Sequence, residues 1–161
     1  MSIDGFIAKK NGSVDWLDKY NNTNEDYGYT KFYKSLNTII LGNTTYKQFP
    51  QEYKNKNCYI FSKQKQTQKN NIIFINDKPE NLIKSLDPKT NKKIWLVGGA
   101  NLVNQFIKSN LIDELIISII PDFLGSGIRL FENNNQELSI KIKETKTYKT
   151  GIVQIKYKIL K

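Results

Sequence analysis

Ile94-Trp95-Leu96-Val97-Gly98-Gly99-Ala100-Asn101-Leu102-Val103 is the stretch whose reading decides the fold. Ile94 to Val97 is a short apolar run that reads as a buried strand. Beyond it, Leu102, Val103, Phe106 and Ile107 recur at helical spacing and predict an amphipathic helix over 102–109. The glycines at the joint allow a ligand to approach the main chain. The new helix turns unpaired N–H groups and the positive end of its dipole toward that ligand, an arrangement that suits phosphate. A tight strand–helix turn with no ligand has the same pattern, and from these residues alone both readings stand.

A second copy of this grammar lies upstream. Thr38 to Leu41 is apolar and stops at Gly42, and Asn43-Thr44-Thr45-Tyr46 opens a helix. In α/β sheets ligands gather beyond the carboxyl ends of strands, so two glycine-ended strands could hold a dinucleotide pyrophosphate between them. The spacing is not G-x-G-x-x-G, which excludes an ordinary Rossmann fingerprint. Thr44 and Thr45 offer hydroxyls to phosphate or, equally, cap the helix.

Further elements follow from periodicity. Tyr29, Phe32, Tyr33 and Leu36 share one face of a helix predicted over 25–36, and strands are expected at 57–61, 71–75 and 114–120. Pro79 opens a short helix to Leu86. Ile140 and Ile142, then Val153, Ile155, Tyr157 and Ile159, alternate around Lys149-Thr150-Gly151 as a terminal hairpin. Strands alternating with helices and closed by a hairpin give a single α/β domain over 1–161, its sheet mostly parallel with an antiparallel edge.

Composition narrows the chemistry. The 161 residues suffice for one core, and 39% hydrophobic with 12% aromatic content describes a globular chain. No apolar run approaches the ~20 residues of a membrane span, and no signal peptide precedes the first motif. One cysteine, Cys58, fits a reducing cytoplasm and excludes an internal disulfide framework. The absence of histidine removes His-based triads and, with a single thiol, His/Cys metal sites. Chemistry therefore falls to carboxylates, hydroxyls, lysines or a borrowed cofactor. The net charge of +10 comes from basic residues that, but for Arg129, are lysines spread along the chain. A nucleic-acid surface would cluster them and use arginine for base edges, so a polyanionic small ligand suits this charge better.

Five motifs occur in order: Ser2-Ile3-Asp4-Gly5-Phe6-Ile7-Ala8, Gly42-x-Thr44-Thr45-Tyr46, Val97-Gly98-Gly99-Ala100, Asp113-Glu114-Leu115, and Ile120-Pro121-x-x-Leu124-Gly125-Ser126-Gly127-x-x-Leu130-Phe131. Together they resemble the dihydrofolate reductase superfamily, in the branch shared with the C-terminal reductase domain of the riboflavin-biosynthesis deaminase–reductase. The resemblance implies a three-layer α/β/α fold. It also implies NADPH-dependent hydride transfer to a pterin- or pyrimidine-like ring, of the dihydrofolate reductase or 5-amino-6-(5-phosphoribosylamino)uracil reductase type, in a protein that could form homodimers. It places the nicotinamide on the main chain of Ile7 and Ala8 and the 2′-phosphate near Ser62 and Lys63. The pyrophosphate then falls at Gly42, Asn43, Thr44 and Thr45 and at Val97, Gly98, Gly99, Ala100, Asn101 and Leu102. On the substrate side it sets Asp4, Trp16 and Tyr29, with Asp26 as the catalytic acid.

Each of these acids and aromatics also has a plainer role. Glu25 and Asp26 suit a helix start, Asp4 a turn, and Trp16 a core. Leu124-Gly125-Ser126-Gly127 reads as a bulged turn whose N–H groups, helped by Arg129, could meet an anion.

Three features depart from the family pattern. Its first central strand would end at Met1, and losing that strand would expose two edges, which favours a chain that begins further upstream. Asn43 stands where a basic residue is usual, removing a phosphate contact of about 1.5–3 kcal/mol that Lys63 or Lys65 could replace only as point charges. Phe49-Pro50-Gln51-Glu52-Tyr53 lacks the Asp-x-Pro-x-Leu-Thr-x-Arg segment of the riboflavin reductases, which weakens assignment of that pathway's own substrate. The competing expectation is a non-catalytic nucleotide- or nucleic-acid-binding module of the same fold.

Overall fold

The computed structural model describes residues 1–21, 23–49, 56–64, 66–68, 70–131 and 137–161. In chain order these form β1 (Phe6–Ala8), a 3-10 turn (Asp15–Leu17), α1 (Asp18–Asn21), α2 (Tyr29–Lys34), β2 (Thr38–Gly42) and α3 (Asn43–Gln48). Then come β3 (Asn57–Phe61), β4 (Ile72–Ile75), α4 (Pro79–Ser85), β5 (Ile94–Gly98) and α5 (Ala100–Lys108). The chain closes with β6 (Glu114–Ile119), β7 (Ile128–Arg129), β8 (Ile140–Thr147) and β9 (Val153–Ile159). They sort into two compact units, one of residues 28–109 and one of 1–27 with 110–161.

In the 28–109 unit, β4-β3-β2-β5 form a parallel sheet. The central strand β2 is buried from Thr38 to Leu41, as expected of a strand covered on both faces. Ile39, Leu41, Cys58, Ile60 and Leu36 make its core, with Phe32, Tyr33, Trp95 and Val97 packed against them. Burying each such aliphatic side chain stabilises the fold by about 1.5–3 kcal/mol. Cys58 lies fully inside this cluster, and burial pushes its thiol up to about 12.

The other unit contains the antiparallel sheet β6-β9-β8 and the two-stranded ribbon β1-β7. Tyr148 to Ile152 form the tip of the β8–β9 hairpin: Gly151, at φ +84°, donates its N–H to the Tyr148 carbonyl. The first two residues lie along the end of β6. Met1 N donates to Ser118 O at 2.6 Å, Ile120 N donates to Met1 O at 2.8 Å, and Ser2 bridges Ile120 in parallel. This is where the resemblance put the end of a central strand.

Most expected elements appear within two residues of their predicted bounds, and the exceptions have local causes. The helix expected from residue 25 begins only at Tyr29, because Tyr27 and Gly28 take positive φ angles (51° and 76°) that a right-handed helix cannot contain. The helix after Gly99 starts at Ala100, two residues before its apolar stripe, with exposed Asn101 in its first turn. Strands β1 and β7 and the helical segment over 15–21 went unread because each is too short to show a period.

Candidate functional site

The two glycine turns meet. β2 and β5 are parallel neighbours, and a register shift after Ile40 pairs Leu41 with Gly98. A Cβ on Gly42 would lie 3.8 Å from both Gly98 O and Gly99 N, and one on Gly99 would press to 3.3 Å from Thr45 Oγ1. Gly98 has φ +128°, open only to glycine, and the Gly98–Gly99 peptide is cis. The small residues therefore let two strand–helix turns share one crevice at the carboxyl edge of the sheet.

Both helices that leave this crevice begin without a side-chain cap. Gly42 and Gly99 are the N-caps of α3 and α5, and neither start receives a side-chain hydrogen bond. Plain capping by Thr44 or Thr45 is thus overturned: both lie inside the first turn of α3, past the position from which a side chain caps. The first-turn N–H groups of Asn43 to Thr45 and of Ala100 to Leu102 have no intrahelical acceptor. Ala100 and Leu102 are buried and Val97 packs on the core, so these three can serve a ligand only through their main chain. Asn101 is exposed, and its Oδ1 accepts from Gln105 Nε2 at 2.6 Å.

After β3, Ser62 is buried and its hydroxyl is spent locally. It donates to Gln64 O (3.0 Å) and accepts from Gln64 N (3.2 Å) and Gln66 Nε2 (3.3 Å). Lys63 beside it is exposed. Tyr29 is 44% exposed, stacked on Tyr33 and edge-on to Trp95, so it forms a rim to the aromatic cluster.

In the other unit the first motif folds upon itself. Buried Ser2 donates its hydroxyl to Asp4 Oδ1 (2.6 Å) and accepts from Phe6 N (3.0 Å). Asp4 also accepts from Leu124 N (3.2 Å) and Gly125 N (2.7 Å). Desolvation pushes this carboxyl up, but the hydrogen bonds from Ser2, Leu124 and Gly125 outweigh it and hold Asp4 below the usual carboxylate range. The bulged turn at 124–127 does meet an anion, and the anion is Asp4. Arg129 donates to Asp4 O and lies 4.6 Å from the centre of the Phe6 ring. Asp4 therefore engages its carboxylate in its own turn, the plainer of the two roles expected of it.

Strand β1 brings Ile7 and Ala8 beside β7, and no side chain fits between them at Gly127: a Cβ there would fall 2.2 Å from Ala8 O. Sequence reasoning missed this close approach, although the Gly125-Ser126-Gly127 pair of glycines marked the place. Trp16 packs against the Tyr20, Ile120 and Ile152 cluster, and its Nε1 is buried without a hydrogen-bond partner among the described residues. It also lines a shallow pocket of about 440 Å³ with Lys19, Asp122 and Phe123.

Comparison with known proteins decides the relationship. The RibD C-terminal domain family matches residues 1–154. The uncharacterized protein YwjB of Bacillus subtilis is 40% identical over 165 residues, spanning 98% of this chain and 92% of YwjB. This chain belongs to the RibD C-terminal domain family. Among solved structures, a Shewanella protein provisionally assigned to riboflavin biosynthesis shares the fold at TM-score 0.88 and 24% identity, over 100% of this chain and 96% of that one. Dihydrofolate reductase from Enterococcus faecalis shares it at 0.69 and 14%, over 99% and 92%. The dihydrofolate-reductase-like fold read from the five motifs is therefore the fold of this RibD C-terminal domain protein.

Within the family, two positions need restating. Asp26 is exposed and precedes α2, so the buried acid on a first helix expected from the resemblance is not found at this residue. Lys65 and the stretch Pro50-Gln51-Glu52-Tyr53 lie outside the described residues. No helix among the described residues is long and apolar enough to cross a membrane.

Proposed function

We propose that this RibD C-terminal domain protein is a cytoplasmic NADPH-dependent reductase acting on a flat pterin- or pyrimidine-like heterocycle. The crevice between the Gly42 and Gly99 turns carries the reading. It supplies two uncapped helix starts, and at Gly99 an added Cβ would press to 3.3 Å from the Thr45 hydroxyl. An anion held there satisfies N–H groups that the fold itself leaves open. The pyrophosphate would rest on the main chain of Asn43 to Thr45 and Gly99 to Leu102, with the Thr45 hydroxyl beside it. Lys63 would serve the 2′-phosphate as a point charge, since Ser62 is occupied in its own turn. Ile7 and Ala8 would offer main-chain groups to the nicotinamide, a role assigned by the family resemblance. When bound, NADPH supplies the hydride. The chain's own part is to hold and orient the rings and to keep water away.

Titration of the purified protein with NADPH and NADH tests the reading, with Gly99→Val as its probe. Wild type should bind NADPH more tightly than NADH. Gly99→Val should lose both while keeping its circular dichroism, because a branched Cβ occupies the space beside Thr45. Normal NADPH binding by folded Gly99→Val overturns the assignment of this crevice.

A further inference from the structure

One strained residue in the segment before α2 is held in place by the tip of the β8–β9 hairpin. Tyr27 has φ +51°, a left-handed conformation that strains a bulky side chain, and Gly28 follows at +76°. The Tyr27 hydroxyl lies 3.1 Å from Thr23 Oγ1 and 3.3 Å from both Tyr20 O and Thr150 Oγ1. From the hairpin tip Tyr148 donates its hydroxyl to Tyr27 O at 3.0 Å, and the two rings meet edge-on at 5.1 Å. Backbone strain of this kind persists only where surrounding contacts over-determine it, and Tyr148 and Thr150 supply those contacts.

The same segment has the residues of a helix start. Thr23-Asn24-Glu25-Asp26 follows the Ser/Thr-x-x-acid spacing of a capping box, with two acids where the helix dipole favours them. Half of that cap is already formed: Glu25 N donates to Thr23 Oγ1 at 3.4 Å. Yet α2 begins only at Tyr29 and without a side-chain cap, so the N–H groups of Tyr29 to Lys31 have no intrahelical acceptor. We infer that residues 23–28 are a two-state switch latched by the hairpin tip. In the latched state, seen here, Tyr27 is left-handed and α2 is short. In the released state Tyr27 and Gly28 become right-handed and α2 runs back to the Thr23 cap. The carbonyls of Glu25, Asp26 and Tyr27 then accept from the N–H groups of Tyr29, Thr30 and Lys31. Each state satisfies groups that the other leaves open, which is the condition for a bistable element. The switch itself needs no ligand. Its consequence rests on the proposed reductase reading: Tyr29, set on the substrate side by the family resemblance, ends α2 in one state and lies inside a longer helix in the other.

Hydrogen exchange of the nucleotide-free protein, read at the amides of Tyr29 to Lys31, tests the switch in two variants. Tyr148→Phe opens the latch, removing the hydroxyl that bonds Tyr27 O while keeping the ring. Gly28→Ala acts from the other side, because alanine is strained at φ +76° and favours a helix. Each should slow exchange of these amides by at least about twofold, and the double variant by more, since each change shifts the balance by about one hydrogen bond. Helical circular dichroism should deepen in step. Without a switch, Gly28→Ala only adds strain, melts earlier and gains no helix. Unchanged or faster exchange in either folded variant overturns the inference. Gly28 is exposed, so its variant decides the matter even where Tyr148→Phe does not fold. The assay contains no nucleotide, so a protein that switches but never binds NADPH overturns the proposed function and leaves this inference standing.

Discussion

Asp4 shows how a residue expected on the substrate side is engaged by its own loop. Its carboxylate gathers a hydroxyl and two N–H groups from segments more than a hundred residues apart, and thereby ties the start of the chain to the turn before β7. Its folded proton affinity is lowered, so its contribution is complete above the unfolded value of about 3.9 and disappears as pH falls through the lower folded value. Asp4→Asn should melt earlier than wild type at neutral pH, with the gap closing below about pH 4. Thermal melts across that range check this, and a pH-independent gap would contradict it. Asp26 is the opposite case. A proton donor working at neutral pH needs a dry pocket, and Asp26 is exposed. Asp26→Asn should leave NADPH affinity unchanged and turnover within about threefold of wild type. A loss of about a hundredfold in NADPH oxidation would restore it as the acid.

Short elements here depend on single glycines for different reasons. Gly127 has a Cβ direction that ends on a main-chain oxygen, Ala8 O, so an added methyl moves strand β1 itself. Gly125, at φ +71°, meets nothing within 4 Å, so a methyl there meets only backbone strain. Gly127→Ala should therefore cost about 2–3 kcal/mol and Gly125→Ala about 1 kcal/mol. Urea unfolding measures both, and the order matters more than the values. Reversal of that order would mean β1 and β7 are not packed as described.

At the scale of the whole molecule, the charge of +10 admits two kinds of polyanion. A dinucleotide that binds the folded state alone stabilises it by about 2.7 kcal/mol at a hundredfold excess over Kd, raising Tm by about 5–11 °C. NADPH should give such a shift at about 0.15 M salt. Duplex DNA should give none, since lysines spread along the chain with one arginine provide neither a cluster nor base-edge contacts. A larger shift from DNA than from NADPH would favour a nucleic-acid-binding module.

What the sequence determined by itself is whatever follows from short-range pattern. The continuous apolar run of β2, the helical stripe of α5 and the period-two tail each reflect which residues must leave water, so strand, helix and hairpin were legible in it. The glycine turns were legible as well, because a missing side chain is a local fact. Tertiary structure decided the partners. Only the pairing of Leu41 with Gly98 brings the two turns into one crevice, and only the placement of the 124–125 turn makes Asp4 a structural anion. Only packing buries the Asn43 amide oxygen with no hydrogen-bond partner among the described residues. A hydrogen bond joins whatever the folded chain sets within about 3 Å, and no spacing along the sequence encodes that distance.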